Sequence, residues 1–564
     1  MDAMEAIDAI DVDCPSGDGQ LFARDAARRH DPTFTGMPYE LLVAILSALC
    51  DNCGCEGTVL GGSRLEMYIA TQSHLAALSS VSKTCRAMRL LAQPLLHRSF
   101  PAALYNARAG SFRFYQFVRT IATRPDLADS VRFLAFDTLV SHLVSCAPRT
   151  VSQILPNERE MDTIAQRAGQ LGLSPPEDWA NAMIVNTWPT PAAESGFLEI
   201  DEQTAVFVAQ LAIGLCDKVQ MIEFTLIRGR CHKYMFHRIM NPFYASRNIN
   251  DIHRLSVGSD CGKIPEHWNS IHGLDIRQLD GLGQRMPKLR EVEVLFGFLP
   301  DPTPSPTVPS AHLFADDVPV EFRPSWAVDL GVLVRLDLVH CSVSEAGLAG
   351  LLDNCANLQV FSCISVFNGA HLNYVFGAPL FPDGVSSVLS RSGRLRTTLR
   401  RLTLEHQPMH QSHGNARTYT SLQGLETVTE VHLGAMGLFS TLLDNRFFAI
   451  APGSAPPVPP QPLSSILPPN IASLNIFQVG PWKRRASDAI SKLLMAIRME
   501  GRFRDLRRIR VWTHQFWPSL HGYPKTIGVE EWDPTLADDA AALGIEFVID
   551  GPADETIQRL RLIA

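Results

Sequence analysis

The stretch 333–363, LVRLDLVHCSVSEAGLAGLLDNCANLQVFSC, contains the pattern from which the fold is predicted. It begins with Leu-x-x-Leu-x-Leu-x-x-Cys, and the alternation of apolar residues predicts a β-strand because successive strand side chains point to opposite faces. An amphipathic segment with Leu348, Leu351 and Leu352 follows, and a second strand starts near Leu358. The stretch therefore predicts a strand–helix–strand unit.

The same apolar alternation recurs along the chain from about residue 131. Its matches are VRFLAF at 131–136, VQMIEF at 219–224, IHRLSV at 252–257, LREVEV at 289–294, LVRLDL at 333–338, LRRLTL at 399–404, VTEVHL at 428–433, IASLNI at 471–476 and LRRIRV at 506–511. The central residues recur at intervals of roughly 25–45 residues, the range of solenoid repeats. They are Leu255, Val292, Leu336, Phe361, Leu402, Val431, Leu474 and Ile509. One unit cannot bury its apolar face alone, so a stacked array is expected.

The stretch 333–363 resembles a cysteine-containing leucine-rich repeat. Cys341 occupies the position at which that pattern has Asn or Cys to bond the backbone of the turn. The other repeats are irregular, so the resemblance implies an irregular leucine-rich-repeat-like α/β solenoid, a horseshoe, over residues 211–564. Two proline-rich segments, 300–310 and 452–470, interrupt the array and are predicted to be surface loops, because proline resists both helix and ladder. Their PxxP spacing is the alternative signal, for proline-binding domains.

Helical signals are dense at 37–100. In PYELLVAILSAL at 38–49, Pro38 suits the first helical turn and Glu40 complements the positive end of the helix dipole. One broad apolar stripe is formed by Leu41, Leu42, Ile45, Leu46 and Leu49. In the second segment, 73–96, apolar faces are formed by Leu75, Leu78 and Val81 and by Cys85, Met88 and Leu91, and Pro94 is predicted to end the helix. About 40 helical residues rarely stabilise a core unaided, so a following domain or a partner must cover part of this apolar surface.

These residues resemble the F-box family, a three-helix module. The opening is matched by Pro38, Glu40, Leu41, Leu42, Ile45, Leu46 and Leu49, and the second part by Leu78, Val81, Lys83 and Arg86; the ending PLLHRSF at 94–100 is similar to fungal members. Met37, Ser82 and Met88 depart from the usual residues, and 51–72 is an insertion where the family has a short turn. Ordinary helical core packing is the alternative interpretation of the same stripes.

The F-box resemblance implies binding to the Skp-family linker and, through it, to the cullin of a Skp–cullin–F-box ubiquitin ligase. The linker-binding residues implied are Pro38, Glu40, Leu41, Leu42, Ile45, Leu46, Leu49, Leu75, Leu78, Val81 and Met88. The repeat domain is expected to hold a target protein, whose identity the sequence does not give. Two alternatives are a non-catalytic repeat scaffold whose F-box acts outside ubiquitin transfer, and an enzyme built into the array.

The domain organisation follows from these patterns. Residues 1–34 are predicted to be a flexible acidic tail, 35–100 the F-box with its inserted loop 51–72, and 101–210 a mainly helical connector that opens the solenoid. The formal net charge of −8 gives no basic surplus for nucleic acid. The N-terminus lacks a secretory pattern and apolar runs are too short to span a bilayer, so we expect no membrane association and a cytoplasmic or nuclear location.

Other chemistry finds little support in the sequence. Cys50, Cys53 and Cys55, with His74, or His406, His410 and His413, offer ligand types for a metal without the fixed geometry that a site needs, so no metal or cofactor is expected. Nucleophile-elbow, phosphate-loop, dinucleotide and zinc-protease motifs do not occur, so a non-catalytic protein is expected. KRRAS at 483–487 is similar to a basophilic-kinase site and to a minimal nuclear signal, and the arginines of RFRDLRRIR at 502–510 are predicted to project from a sheet.

Overall fold

The structure is a computed structural model of the 564-residue chain. It describes residues 37–48, 77–100, 117–137, 158–176, 179, 202–226, 235–243, 249–259, 274–295, 297–299, 330–339, 341–366, 380–407, 418–439, 461–477, 479, 483–513 and 532–550. The predicted tail 1–34, the insertion 51–72 and the proline-rich segment 300–310 lie outside these residues, as does 452–460 of the second proline-rich segment.

The described helices begin with three short segments near the N-terminus. The α-helices are α1 (Tyr39–Ala48), α2 (77–82), α3 (Arg86–Leu96), α4 (117–123), α5 (Pro125–Ala128), α6 (Glu158–Gln170), α7 (Glu202–Leu215), α8 (Met235–Met240), α9 (Leu282–Arg285), α10 (Glu345–Asp353), α11 (Pro382–Arg391), α12 (Leu395–Thr398), α13 (Ala435–Phe439), α14 (Leu463–Ile466), α15 (Lys483–Glu500) and α16 (Leu536–Ala541). Two 3₁₀ turns span Asn241–Phe243 and Ile276–Leu279.

The strands form one long parallel sheet and a second, small one. They are β1 (Ser99–Phe100), β2 (Phe133–Asp137), β3 (Met221–Leu226), β4 (Arg254–Ser259), β5 (Leu274–Asp275), β6 (Glu291–Leu295), β7 (Gly297–Leu299), β8 (Arg335–Val339), β9 (Ser342–Val343), β10 (Val360–Val366), β11 (Arg401–Gln407), β12 (Glu430–Gly434), β13 (Ser473–Phe477), β14 (Arg508–Trp512) and β15 (Glu546–Asp550). The long sheet has twelve strands in chain order, and β5, β7 and β9 form the small sheet.

The register of the long sheet explains the recurring sequence pattern. The central apolar residues pair directly with one another from strand to strand, for example Leu336 with Phe361 and Phe361 with Leu402. The next inward-facing position is also apolar, as in Leu338, Cys363 and Leu404. Both rows are buried beneath the helices in one continuous core. The chain is therefore an α/β protein with an extended parallel sheet, and each predicted alternating segment is confirmed as a strand that starts about two residues later.

Cys341, two residues after β8, holds the neighbouring turn between β6 and β7. Its thiol donates to the Val294 carbonyl (3.3 Å), and the Gly297 N–H donates to its Sγ (3.3 Å). This confirms the predicted backbone-bonding role of Cys341. Gly297 is required at this turn, because a Cβ there would meet the Ile276 side chain at 3.1 Å and Val294 more closely still. Helix α10 then begins with Ser344, whose Oγ accepts the Gly347 N–H (2.9 Å) as an N-cap.

One local expectation differs from the structure. Pro94 does not end its helix but lies inside α3, and the His97 N–H donates to the Gln93 carbonyl beyond it. The proline leaves the carbonyl of Leu90 without its helical donor, and Leu90 lies on the exposed side of the helix, where water can replace it. Within the mainly helical segment 101–210, the strand predicted from 131–136 is present as β2, a full member of the sheet.

Candidate functional site

Helix α1 carries two adjacent apolar stripes with opposite environments. Leu42 and Leu46, four residues apart on one face, are buried, with Leu42 at 5% exposure. Leu41, next in the chain, is 48% exposed, and Ile45 on the same stripe is half-buried. The inner stripe holds the helices together, whereas the outer stripe is accessible. We call α1, α2 and α3 the helical module.

The helical module has a small core of its own. Leu46 and Leu78 are fully buried against each other, and half-buried Val81, Leu91, Leu95 and Leu96 pack around them. This cluster is separate from the large core under the sheet. Leu90 on α3 remains 58% exposed, so the described part of the module has accessible apolar side chains on two helices.

The predicted linker-binding residues fall into three groups in the structure. Pro38, Glu40 and Leu41 are exposed, and Ile45 and Val81 are half-buried. The buried members are Leu42, Leu46, Leu78 and Met88, and Leu46 and Leu78 of these form the core of the module. Leu49 and Leu75 lie outside the described residues. Of the predicted apolar residues on α1, Leu41 and Ile45 therefore keep accessible surface, whereas Leu42 and Leu46 are buried.

The helical module is joined directly to the sheet. Helix α3 ends one turn before β1, and the Arg98 carbonyl accepts the N–H groups of Arg132 (2.7 Å) and Phe133 (3.1 Å). His97 is buried at this junction, where its ring Nδ1–H donates to the Gln93 carbonyl (2.9 Å), and burial lowers the pKa of its imidazole. Pairing of β1 with β2 continues the backbone ladder into the sheet. Along the described chain, only residues 97–98 lie between α3 and β1.

The face of the sheet opposite the helices, which we call the polar face, is lined by charged and polar side chains. Ion pairs join neighbouring strands there, including Arg401 with Glu430 (2.6 Å) and Arg508 with Glu546 (2.7 Å). His432 Nε2 donates to Glu430 (2.7 Å), and this hydrogen bond together with Arg401 lowers the pKa of the Glu430 carboxyl. Of the arginines at 502–510 predicted to project from a sheet, Arg508 and Arg510 lie on this face of β14, whereas Arg502, Arg504 and Arg507 precede the strand.

Carboxylates also line the strands nearer the N-terminus of this face. Glu223, Glu293 and Asp337 occupy equivalent positions on β3, β6 and β8. Burial raises the pKa of Asp337 to about 6, opposed by the adjacent Arg335 and reinforced by Glu293. The Asp337 carboxylate accepts a hydrogen bond from Arg335 Nε (2.6 Å). This carboxylate is therefore already engaged by a neighbouring side chain of its own strand.

An aromatic stack crosses the other end of the polar face. The ring of His432 on β12 stacks on Phe477 of β13, with centroids 5.6 Å apart and planes 24° apart. Phe477 lies 6.0 Å from Trp512 on β14, at 34°. The Arg510 guanidinium lies 4.3 Å from the Trp512 ring centroid. We call these four residues the aromatic stack; all four are partly exposed.

Sequence reasoning missed the aromatic stack because it followed only the apolar positions that face the helices. The signal was available: extending the alternation by one step beyond Leu474 and Ile509 places Asn475, Phe477, Arg510 and Trp512 on the opposite face. Aromatic residues at outward positions of adjacent strands are the pattern to search for.

The remaining sequence candidates have structural explanations where the structure describes them. His406 lies on β11, buried against the core, where Nδ1 shares a hydrogen bond with the Tyr419 hydroxyl (3.0 Å) and burial lowers the His406 pKa to about 4. Ser487 of KRRAS is buried in α15, so the folded chain does not offer it to a kinase. Cys50, Cys53, Cys55, His74, His410 and His413 lie outside the described residues. Within the described ranges, no group of three His, Cys, Asp or Glu side chains could hold a metal ion.

A membrane-spanning helix is likewise not found among the described segments, since none combines the length and hydropathy that crossing a bilayer requires. Comparison with known proteins gives no assignment: no protein-family model matches the chain, and no curated protein is significantly similar to it.

Proposed function

We propose that the chain is the substrate-recognition adaptor of a Skp–cullin–F-box ubiquitin ligase. In this proposal the helical module is an F-box that binds the Skp-family linker, and the sheet belongs to an irregular leucine-rich-repeat horseshoe whose polar face binds the target protein. The observation that carries the proposal is the outer stripe of α1. Leu41 and Ile45 belong to an F-box-like sequence pattern, but they are not buried in the module's own core.

The energetics of the module favour docking. Complete burial of a leucine or isoleucine side chain is worth about 1.5–3 kcal/mol, so a partner that covers Leu41, Ile45 and Leu90 gains several kcal/mol before its ordering costs. Removing these side chains from water does not require the module to rearrange, because its inner residues are already packed.

The direct junction supports an adaptor mechanism. A module continuous with the sheet through Arg98 and β1 holds a docked linker at a fixed orientation to the polar face. A target bound on that face would be presented to the conjugating enzyme at high effective concentration. No covalent step requires a residue of this chain.

The decisive experiment is a pull-down of purified Skp-family linker with the full chain and a Leu41→Asp plus Ile45→Asp variant. We expect the variant to lose linker recovery at least about tenfold, because two charges would enter an apolar contact. Met495→Asp plus Met499→Asp is the matched control, since both methionines are exposed on α15 and Met495 is 62% exposed.

Equal recovery with the two double variants, or no recovery with the wild-type chain, would refute the linker contact. Linker binding with no target protein stabilised by loss of the chain would instead favour the scaffold function.

A further inference from the structure

The aromatic stack differs chemically from the rest of the polar face. Elsewhere among the described strands this face carries ion pairs, either between neighbouring strands, as in Arg254 with Glu291 and Arg401 with Glu430, or within one strand, as in Arg335 with Asp337. Here His432, Phe477 and Trp512 place three rings on consecutive strands with accessible surface remaining. Aromatic residues and arginine are the side chains that contribute most to protein interfaces when a partner covers them.

The orientation of the rings determines which ligand chemistry they favour. Side chains stand roughly perpendicular to a sheet, so rings that stack on one another from strand to strand turn their edges outward. The edge of an aromatic ring carries partial positive charge, whereas its face is negative. Trp512 Nε1 is buried, so the accessible part of the stack consists of the other ring edges. These edges favour electron-rich groups, namely carboxylate or carbonyl oxygens and the face of another aromatic ring.

Two arginines extend this preference. Arg510 donates through Nε to Asp550, and Arg508 donates through Nε to Glu546 (2.7 Å). Within the described part of the chain, the terminal nitrogens of both guanidinium groups have no hydrogen-bond partner. Arg510 is 37% exposed beside Trp512. Each guanidinium can therefore hold a second carboxylate while it keeps the first, since a guanidinium has five donors in a planar fork.

We infer that the aromatic stack, with Arg508, is the binding surface for an acidic segment of the target protein that carries an aromatic side chain beside a carboxylate. The carboxylate bonds the terminal nitrogens of Arg510 or Arg508, and the aromatic side chain packs on the outward edges of Phe477 and Trp512. This inference rests on the proposed function, because it assigns the target to one end of the polar face. The ion pairs on the strands nearer the N-terminus then stabilise the sheet and do not bind the target.

The test uses fluorescein-labelled degenerate decapeptides and the purified full chain, with binding measured by fluorescence anisotropy. Two adjacent central positions are fixed as Asp-Phe, Lys-Phe, Asp-Leu or phosphoserine-Phe, and the other positions are randomised. We expect the Asp-Phe set to bind at least about tenfold more tightly than the Lys-Phe set and more tightly than the Asp-Leu set. The phosphoserine set distinguishes a carboxylate from a phosphate as the preferred anion, and tighter binding of that set would overturn the carboxylate assignment.

Variants locate the binding surface. Arg510→Gln should reduce the preference for Asp-Phe over Lys-Phe about tenfold, and Trp512→Leu should remove the preference for Phe over Leu. Arg498→Gln is the matched control, because Arg498 forms an exposed ion pair with Asp539 (3.4 Å) on helices away from the polar face. Thermal melting of each variant verifies folding, and Arg510→Gln provides the test if Trp512→Leu unfolds.

Several outcomes would overturn the inference. They are equal binding of Asp-Phe and Lys-Phe peptides, unchanged preference in Arg510→Gln, and no peptide binding up to about 1 mM. A labelled single-stranded oligonucleotide that binds more tightly than every peptide set, and loses binding in Arg510→Gln, would assign the surface to nucleic acid instead. The linker pull-down with Arg510→Gln separates this inference from the proposed function, since linker binding should be unchanged whichever peptide result is obtained.

Discussion

Tyr419 lies directly against Gly437, so that its ring fills the space where a side chain at position 437 would point. A Cβ at 437 would lie 2.7 Å from the Tyr419 hydroxyl oxygen and closer still to two ring carbons. The Tyr419 N–H also donates to the Gly437 carbonyl (2.8 Å). Tyr419 is fully buried, and its hydroxyl shares a hydrogen bond with His406, so the ring has no space into which it could retreat.

We predict that Gly437→Ala destabilises the fold. Alanine would favour helix α13 by about 1 kcal/mol over glycine, but overpacking of a filled core costs about 1–3 kcal/mol, and the closeness of the ring places this site at the upper end. The net loss should be about 1–2 kcal/mol in the free energy of urea-induced unfolding.

Gly169→Ala is the matched control for that substitution. Gly169 lies within α6 and a Cβ there would meet nothing within 4 Å, so only the helix-propensity gain of about 0.5–1 kcal/mol remains. Equal effects of the two substitutions would contradict the close packing of Tyr419 on Gly437.

A second prediction concerns the independence of the helical module. Leu46→Ala removes a fully buried side chain from a core that is separate from the core beneath the sheet. We expect a local loss of about 2–5 kcal/mol, visible as faster amide hydrogen exchange in Arg86–Leu96 with unchanged exchange in Arg401–Gln407. Faster exchange in both segments would show that the module and the sheet unfold together.

The sheet was predictable because its apolar rows have a strict period of two. Leu402 and Leu404 both face the helices, so a short window of sequence suffices to identify their strand. Strands β1, β5, β7 and β9 have only two or three residues, too few to form a period. The edge strand β15 has no alternating burial, so its sequence has no corresponding signal.

The candidate surfaces were predictable only in part. Sequence periodicity placed Leu41, Leu42, Ile45 and Leu46 on one broad stripe, but it did not show which side of the stripe the other helices cover. That division depends on α2 and α3, whose packing is tertiary. Pro94 is a similar case. Proline usually ends a helix, but this helix continues through Pro94 because water can bond the carbonyl of Leu90 that the proline leaves without a donor.

A third prediction concerns Asp337 and pH. Burial raises the pKa of this carboxyl from its ordinary 3.8 to about 6, so the folded chain holds the proton more tightly than the unfolded chain does. The resulting contribution to stability is present at pH values below about 4 and is lost as the pH rises through about 6, with an upper bound of about 3 kcal/mol.

Asp337→Asn removes this dependence. The free energy of unfolding of the variant minus that of the wild type should increase between about pH 4 and pH 7 and then level off. Loss of the hydrogen bond to Arg335 changes the stability of the variant by the same amount at every pH. The quantity to measure by urea titration is therefore how the free-energy difference between variant and wild type changes with pH. A constant difference across this range would contradict the raised pKa.

The last prediction separates reactive from structural cysteines. Among the described cysteines Cys85 is exposed, whereas Cys216, Cys341, Cys355 and Cys363 are buried.

Burial raises the pKa of the Cys363 thiol to about 12 and raises the pKa of Cys341 as well, so the thiolate that reacts with alkylating reagents is suppressed at both positions. Brief treatment of the native chain with iodoacetamide at about pH 8, followed by peptide mass spectrometry, should modify Cys85 at least about tenfold faster than these four. The same treatment in urea should modify all five, which controls for peptide detection. Rapid native modification of Cys341 would show that the bonds of its thiol to Val294 and Gly297 open readily, and it would contradict a structural role for that thiol.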